Sequence, residues 1–244
     1  MRSHVRGARA ATLRGLILAA VVALGGALAQ PPLVHAQEQR RLDDFSKTYP
    51  GNQTYGDWDA RKFSPRFGDG EKYFFQFVDD GHGEHYLHLM SGKDNSFSVG
   101  YKRQFQLKDW PVLEWEWKMG ALPKGGNSHA GSTDDEAGQM CVIVNPGLFG
   151  SQSICYLFDN GAAKSDQAFA SPQGQRSQYI VLRSAAGGDA TGTWYPERRN
   201  IYEDYKRVFG KEPEKEAAIG ILINSQHTAS SAEAFYRNIV QRKS

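Results

Sequence analysis

Asp134, Asp135 and Glu136 put three carboxylates in a row after a polar stretch from Lys124 to Thr133. Neighbouring carboxylates on a loop are a candidate Ca²⁺ site, because calcium takes about six to eight oxygen ligands. The same residues at the start of a strand also read as a turn tied by Asx hydrogen bonds. Glu114 and Glu116 flank Trp115. Residues two apart in a strand share a face, and a sandwich glycosidase can set nucleophile against acid in this way, about 5–5.5 Å apart for retention. Any half-exposed strand shows the same alternation. His82, His85 and His88 would align on a helix, but Gly81 and Gly83 argue against one. On a strand His85 and His88 face opposite ways, so zinc would need ligands from elsewhere. No GxSxG elbow, P-loop or dinucleotide fingerprint is present. Trp58, Trp110 and Trp194 lie beside turn residues and are the candidates for rings open to solvent, where flat faces can stack on sugars.

The elements that must position these groups are strands. Lys72 to Val78, His85 to Ser91, Phe97 to Phe105, Val112 to Met119, Gln139 to Asn145, Ser153 to Phe158, Tyr179 to Arg183 and Ala218 to Asn224 are short runs separated by Gly, Asn, Asp and Pro. Their aromatic and β-branched content predicts a mainly β fold, an antiparallel sandwich. Nothing shows the strand–helix alternation of a parallel α/β sheet. The exception is WYPERRNIYEDYKRVFG, Trp194 to Gly210. Ile201, Tyr205, Val208 and Phe209 recur at helical spacing and predict a short helix near 201–209. Asn200 followed by Glu203 resembles a capping box, Gly210 suits the end, and Pro213 forbids continuation. Glu203 is placed to pair with Arg207 one turn on. So short a helix must pack on a sheet or cover its open end. Packing is the first reading of this stretch, and a ligand role for the Glu197-Arg198-Arg199 corner is the second.

Residues 1–36 read as a secretory signal peptide: Arg2, Arg6, Arg9 and Arg14, an apolar run from Leu16 to Leu28, then Val34-His35-Ala36. Cleavage after Ala36 is favoured and Ala29 is the second choice. The run is short of the roughly 20 residues of a membrane span, so a periplasmic or secreted protein without a stable membrane anchor is expected. Residues 37–244 then form one domain, with Gln37 to Arg41 a frayed start. The chain has 29 basic and 27 acidic residues. Losing four Arg leaves 25 against 27, a net charge of −2, and no electrostatic case for nucleic acid. Cys141 and Cys155 are the two cysteines. They flank NPGLFGS, whose centre is Leu148, so a symmetric hairpin sets them opposite one another. Opposed residues at a non-hydrogen-bonded position lie about 4.5 Å apart, near the short limit for a disulfide. Export favours oxidation, and the alternative is two small buried thiols.

Four ordered stretches carry a resemblance: PVLEWEWKMGALPKGG, STDDEAGQMCVIV, CYLFDN and WYPERRNIYEDYKRVFGKEP. Together they resemble the bacterial domain-of-unknown-function 3047 family. The resemblance implies an exported jelly-roll-like sandwich of the carbohydrate-binding-module or galactose-binding-like type, with no assigned activity. This chain departs from that pattern. Glu116 and Gln139 stand where the family usually has Arg, and Asn224-Ser225-Gln226-His227-Thr228 replaces an Asp-x-Asp-Asn-Thr strand end. Two cations and two anions are absent together, either exchanged for a neutral network of similar shape or lost with a site. Asp134, Asp135, Glu197 and Arg199 match the family pattern, so the candidate ligand site lies where that loop and that corner could meet. A structural ion-pair network is the alternative. The expected function is non-catalytic binding of carbohydrate or cell-envelope material, with no cofactor unless Ca²⁺. A polysaccharide hydrolase or lyase, and a structural or protein-interaction domain, remain the alternatives.

Overall fold

The computed structural model describes residues 38–47, 54–62, 73–92, 96–147 and 149–244. The signal sequence read in residues 1–36 lies outside them, as does Leu148 at the hairpin centre. In chain order the elements are β1 (Gln39–Asp43), β2 (Thr54–Tyr55), β3 (Trp58–Lys62), β4 (Tyr73–Asp79), β5 (His85–Ser91), β6 (Ser96–Tyr101), β7 (Val112–Ala121), β8 (Gly138–Val144), β9 (Gln152–Asp159), β10 (Ser165–Ser171), β11 (Gly174–Ser184), β12 (Tyr195–Asn200), α1 (Ile201–Phe209), β13 (Ala217–Asn224) and β14 (Ala232–Arg242).

Among the described residues these strands form two sheets. One has the order β12-β7-β14-β5-β4, with β1 also on β14; the other runs β10-β11-β9-β8-β13-β6-β3-β2. The expected mainly antiparallel sandwich is what the chain adopts, with one departure. β9 and β11 run parallel, because β10 lies outside β11 at the edge of its sheet.

The sandwich follows from alternation. Leu113, Trp115, Trp117 and Met119 of β7 are buried, while Glu114, Glu116 and Lys118 between them face out. Tyr156 and Phe158 of β9 meet the two indoles from the other sheet, with ring centroids 5.6 Å (Trp115–Tyr156) and 5.9 Å (Trp117–Phe158) apart. Ile219, Ile221 and Ile223 of β13 fill the same layer. Each such side chain contributes about 1.5–3 kcal/mol when withdrawn from water.

Two strands refine the sequence reading. β14 pairs with β5 over Ala232 to Tyr236, bulges at Asn238 (φ 53°), and then pairs with β1 over Ile239 to Arg242. The expected frayed start is therefore strand β1, held by the continuing edge of β14. The helix begins and ends as expected. The Asn200 side chain accepts a hydrogen bond from the Glu203 N–H at 3.1 Å, and Gly210 closes the helix in the left-handed region at φ 68°. Ile201 and Tyr205 enter the main core. Arg207 pairs with Asp204, three residues earlier, and not with Glu203. Cys141 and Cys155 are direct cross-strand partners on β8 and β9 and are joined by a disulfide.

Candidate functional site

The acidic turn before β8 is buried: Asp134, Asp135 and Glu136 are each at most 1% exposed. Asp135 is a structural cap. Its carboxylate accepts the His227 N–H (3.2 Å), the Thr228 N–H (2.6 Å) and the Thr228 hydroxyl (2.7 Å), tying the turn to the loop after β13. Two of the positions where the chain departs from the pattern it resembles, Gln139 and Asn224, meet here. Gln139 Nε2 donates to Asn224 Oδ1 at 2.7 Å and to Glu136 Oε2 at 2.9 Å, and Asn224 Nδ2 donates to the Asp134 carbonyl at 2.6 Å. Gln139 and Asn224 thus form a buried neutral amide pair, which avoids the cost of burying two ions.

Among the described residues Glu136 has no cationic partner. Burial, and then the neighbouring carboxylates of Asp134 and Asp159, push its carboxyl well above the usual range. Burial also raises Asp134, against a hydrogen bond with Glu136. These shifts favour a proton held between the two carboxyls. Glu136 Oε1 and Asp134 Oδ1, which receive no N–H or hydroxyl donor, are the oxygens free to hold it. Among the described residues no group of three or more potential ligands is arranged for a metal ion, and Asp135 has both oxygens committed to the 227–228 loop.

The second half of the expected site is a different network. Glu197 points inward from β12 and accepts hydrogen bonds from Trp117 Nε1 (3.0 Å) and Arg183 Nε (2.6 Å). Arg199 makes two hydrogen bonds to Asp204, 2.9 and 2.8 Å, and a third to Asp166 at 2.8 Å. Burial pushes Asp204 up, but donors from Arg199, Tyr156 and Arg207 outweigh it and hold the carboxyl below its ordinary range. Asp134 and Asp135 on one side, and Glu197 and Arg199 on the other, share no hydrogen bond or ion pair among the described residues. Each set fastens its own part of the sandwich.

Glu114 and Glu116 do share the outer face of β7, and both are engaged. Glu114 pairs with Arg242 (2.7 Å) and Arg198; Glu116 takes Arg237 (2.8 Å) and Asn238 (2.9 Å). His88 pairs with Glu233 at 2.7 Å, while His82 sits in an exposed turn. Of the three tryptophans expected at the surface, Trp58 is fully buried and donates to Asp43 at 2.7 Å. Trp110 is half-buried beneath Arg40. Trp194 joins an outer-face cluster of rings.

The open concavity lies elsewhere, on the outer face of the eight-stranded sheet. A row of cross-strand partners runs across it: Asp59, Gly100, Gly220, Cys141, Cys155 and Tyr179. Gly100 and Gly220 are directly paired, so the middle of the row has no side chains. A glycine inside a strand often marks a place where a ligand or another backbone comes close. A groove of about 630 Å³ lies over this floor. The disulfide and Tyr179 wall one side, and Ser98, Gln139, Ser153 and Ser177 contribute neutral polar groups. A second lobe of about 330 Å³ adjoins it, sharing Gln139, Ser177, Tyr179 and Leu222 and reaching Asp134 and His227. Sequence reasoning missed the floor, because two glycines and a few serines far apart in the chain carry no local signal.

A family model described as "Protein of unknown function (DUF3047)" matches residues 57–240. No curated protein matches the sequence. Similar solved structures include the family 11 carbohydrate-binding module of the cellulosomal cellulase Lic26A-Cel5E of Clostridium thermocellum (12% identity, TM-score 0.43, 84% of this chain and 95% of that one). The xyloglucanase domain of NopAA from Sinorhizobium fredii is 10% identical (TM-score 0.43, 76% and 93%). A family 29 carbohydrate-binding module from Piromyces equi is 8% identical (TM-score 0.38, 86% and 92%). At TM-scores this low the likeness decides nothing about function.

Proposed function

The chain belongs to the DUF3047 family of proteins of unknown function, and on that footing we propose that it binds an extended neutral carbohydrate chain in the glycine-floored groove without cleaving it. The observation that carries this reading is the Gly100–Gly220 pair at the centre of an open sheet face, flanked by hydroxyls, an amide and Tyr179. A sugar chain needs a long open trough, an apolar floor for its C–H faces, and uncharged groups for its hydroxyls. This groove offers an open trough, apolar surface and neutral hydroxyl and amide groups, with Asp59 and Lys102 also in its lining. Export through the signal sequence in residues 1–36 is part of the proposal, and a disulfide, which persists in oxidising compartments, supports it.

A hydrolase is the second reading, favoured by the proton-sharing Asp134–Glu136 pair at the smaller lobe. Two features weigh against it. Glu136 is fully buried, so only Asp134 reaches the lobe. Paired-carboxylate hydrolysis also needs the two groups on either side of a glycosidic bond, and these two touch each other.

Gly100→Trp tests the groove directly. A Cβ at Gly100 meets nothing nearer than the Asp59 carbonyl at 3.9 Å, so a side chain there starts in open space, and the indole is expected to occupy the trough. Titration calorimetry against neutral gluco-, manno- and galacto-configured hexasaccharides is expected to find a ligand for the wild type. Gly100→Trp should weaken that ligand about a hundredfold with an unchanged melting temperature. No ligand in the panel, or undiminished binding in the variant, overturns the reading. Release of reducing ends, abolished by Asp134→Asn, would establish the hydrolase instead.

A further inference from the structure

The outer face of the six-stranded sheet carries an arrangement that the groove does not use. Lys118 of β7 is in register with Phe235 of β14, which faces His88 of β5. Three rings surround the Lys118 ammonium: Phe235 at 4.5 Å, Trp194 at 5.0 Å and Tyr86 at 5.8 Å. The rings brace one another. Tyr86 meets Phe235 edge-on at 5.6 Å and Trp194 at 6.1 Å, and His88 stacks on Phe235 at 4.4 Å.

The other basic groups on this face have carboxylate partners. Arg237 pairs with Glu116 and Glu84, Arg198 and Arg242 with Glu114, and His88 with Glu233. Lys118 has no carboxylate partner among the described residues; its recorded contacts are the three rings. An ammonium has three donors. Ring faces attract its charge but take none of those donors as an oxygen would. The cage therefore holds a half-buried cation in one place, its neighbours' acids already engaged, on a face open to solvent. A group fixed before binding loses less freedom when a ligand arrives.

We propose that Lys118 and its ring cage bind the carboxylate of a uronate residue, as a site separate from the groove. One ammonium complements one negative charge. Phosphate sites are built from several convergent donors, and among the described residues no second uncommitted cation stands beside Lys118. The edges of Trp194 and Tyr86, with Met90 (41% exposed) further along the face, supply apolar surface for the sugar ring that carries the carboxylate.

The test is titration calorimetry of the full chain with trigalacturonate and with its fully methyl-esterified form, which keeps the sugars and removes the charge. The wild type should bind the acid at least about tenfold more tightly, the worth of one charge-assisted hydrogen bond, and the preference should shrink as salt rises. Lys118→Met keeps the apolar stem and should abolish the preference without lowering the melting temperature. Gly100→Trp should leave it intact, which separates this site from the groove. Equal or undetectable binding of acid and ester by the wild type, or a preference that survives Lys118→Met, overturns the proposal.

Discussion

Replacing Glu136 by Gln should stabilise the protein, increasingly so as pH rises. An amide can accept from Gln139 Nε2 and donate to Asp134, which are the bonds a protonated Glu136 makes. The sign follows from the direction of the shift. A carboxyl whose folded pKa lies above its unfolded value, ordinarily about 4.5 for Glu, keeps a proton that the unfolded chain has released. Between those two values folding is progressively penalised as pH rises. Each pH unit over which the folded pair keeps its proton widens the gap between wild type and variant by about 1.4 kcal/mol. The gap should therefore open above about pH 4.5 and widen as pH rises for as long as the folded carboxyl stays protonated. The assay is urea denaturation of both proteins at half-unit pH steps, read as the difference in unfolding free energy. The two should nearly coincide at pH 4.5 and diverge above it. A constant difference, or a variant less stable at pH 6.5, refutes the shared proton.

Three further outcomes follow from the packing. Asp204→Ala strands the Tyr156 hydroxyl and the largely buried Arg199 and should cost about 3–5 kcal/mol by thermal melting; because the Asp204 pKa is depressed, the wild-type contribution should persist from neutral pH down to about 4 and be lost only below. Breaking the Cys141–Cys155 bond, sequence separation 14, by paired Ser substitution should lower stability by about 3 kcal/mol in denaturant titrations if loop entropy sets its worth. Gly126→Ala would place a Cβ 2.4 Å from the Asp135 carbonyl oxygen and 3.1 Å from that of Pro123, so the acidic turn must shift, and we expect a loss of about 1–3 kcal/mol measured by calorimetric melting.

The helix was legible because its signals are local: Asn200 and Gly210 are its caps, and Ile201 and Tyr205 keep a helical period. The disulfide was legible because hairpin symmetry is arithmetic. β14 was not, since the bulge at Asn238 breaks its alternation midway and moves its apolar positions from Ala234 and Tyr236 to Ile239. β12 was hidden by its edge position, where inward places hold Glu197 and Arg199 in place of apolar residues. Residue type drew attention to Asp134 and Arg199, but not to the contacts they make. Both are bound into separate networks, whose partners, Asn224 and Asp204, come from other elements. The glycine floor and the Lys118 cage depend on register between strands far apart in sequence, which no window along the chain contains.

The junction of β1 with β14 has a consequence for the order of folding. Gln39–Asp43 finds its strand partner only in Ile239–Arg242, some two hundred residues later. Non-local pairings of this kind form late, because the loop entropy is spent before the contact rewards it. β7 and β5 also dock on β14, so three strands of the six-stranded sheet wait for one that follows all of them in the chain. Until it arrives, the indoles of Trp115 and Trp117 have half a sandwich to bury them. Closing β14 onto β7, β5 and β1 therefore completes the sheet in one step, and any condition that withholds β14 takes from these three strands the neighbour they share.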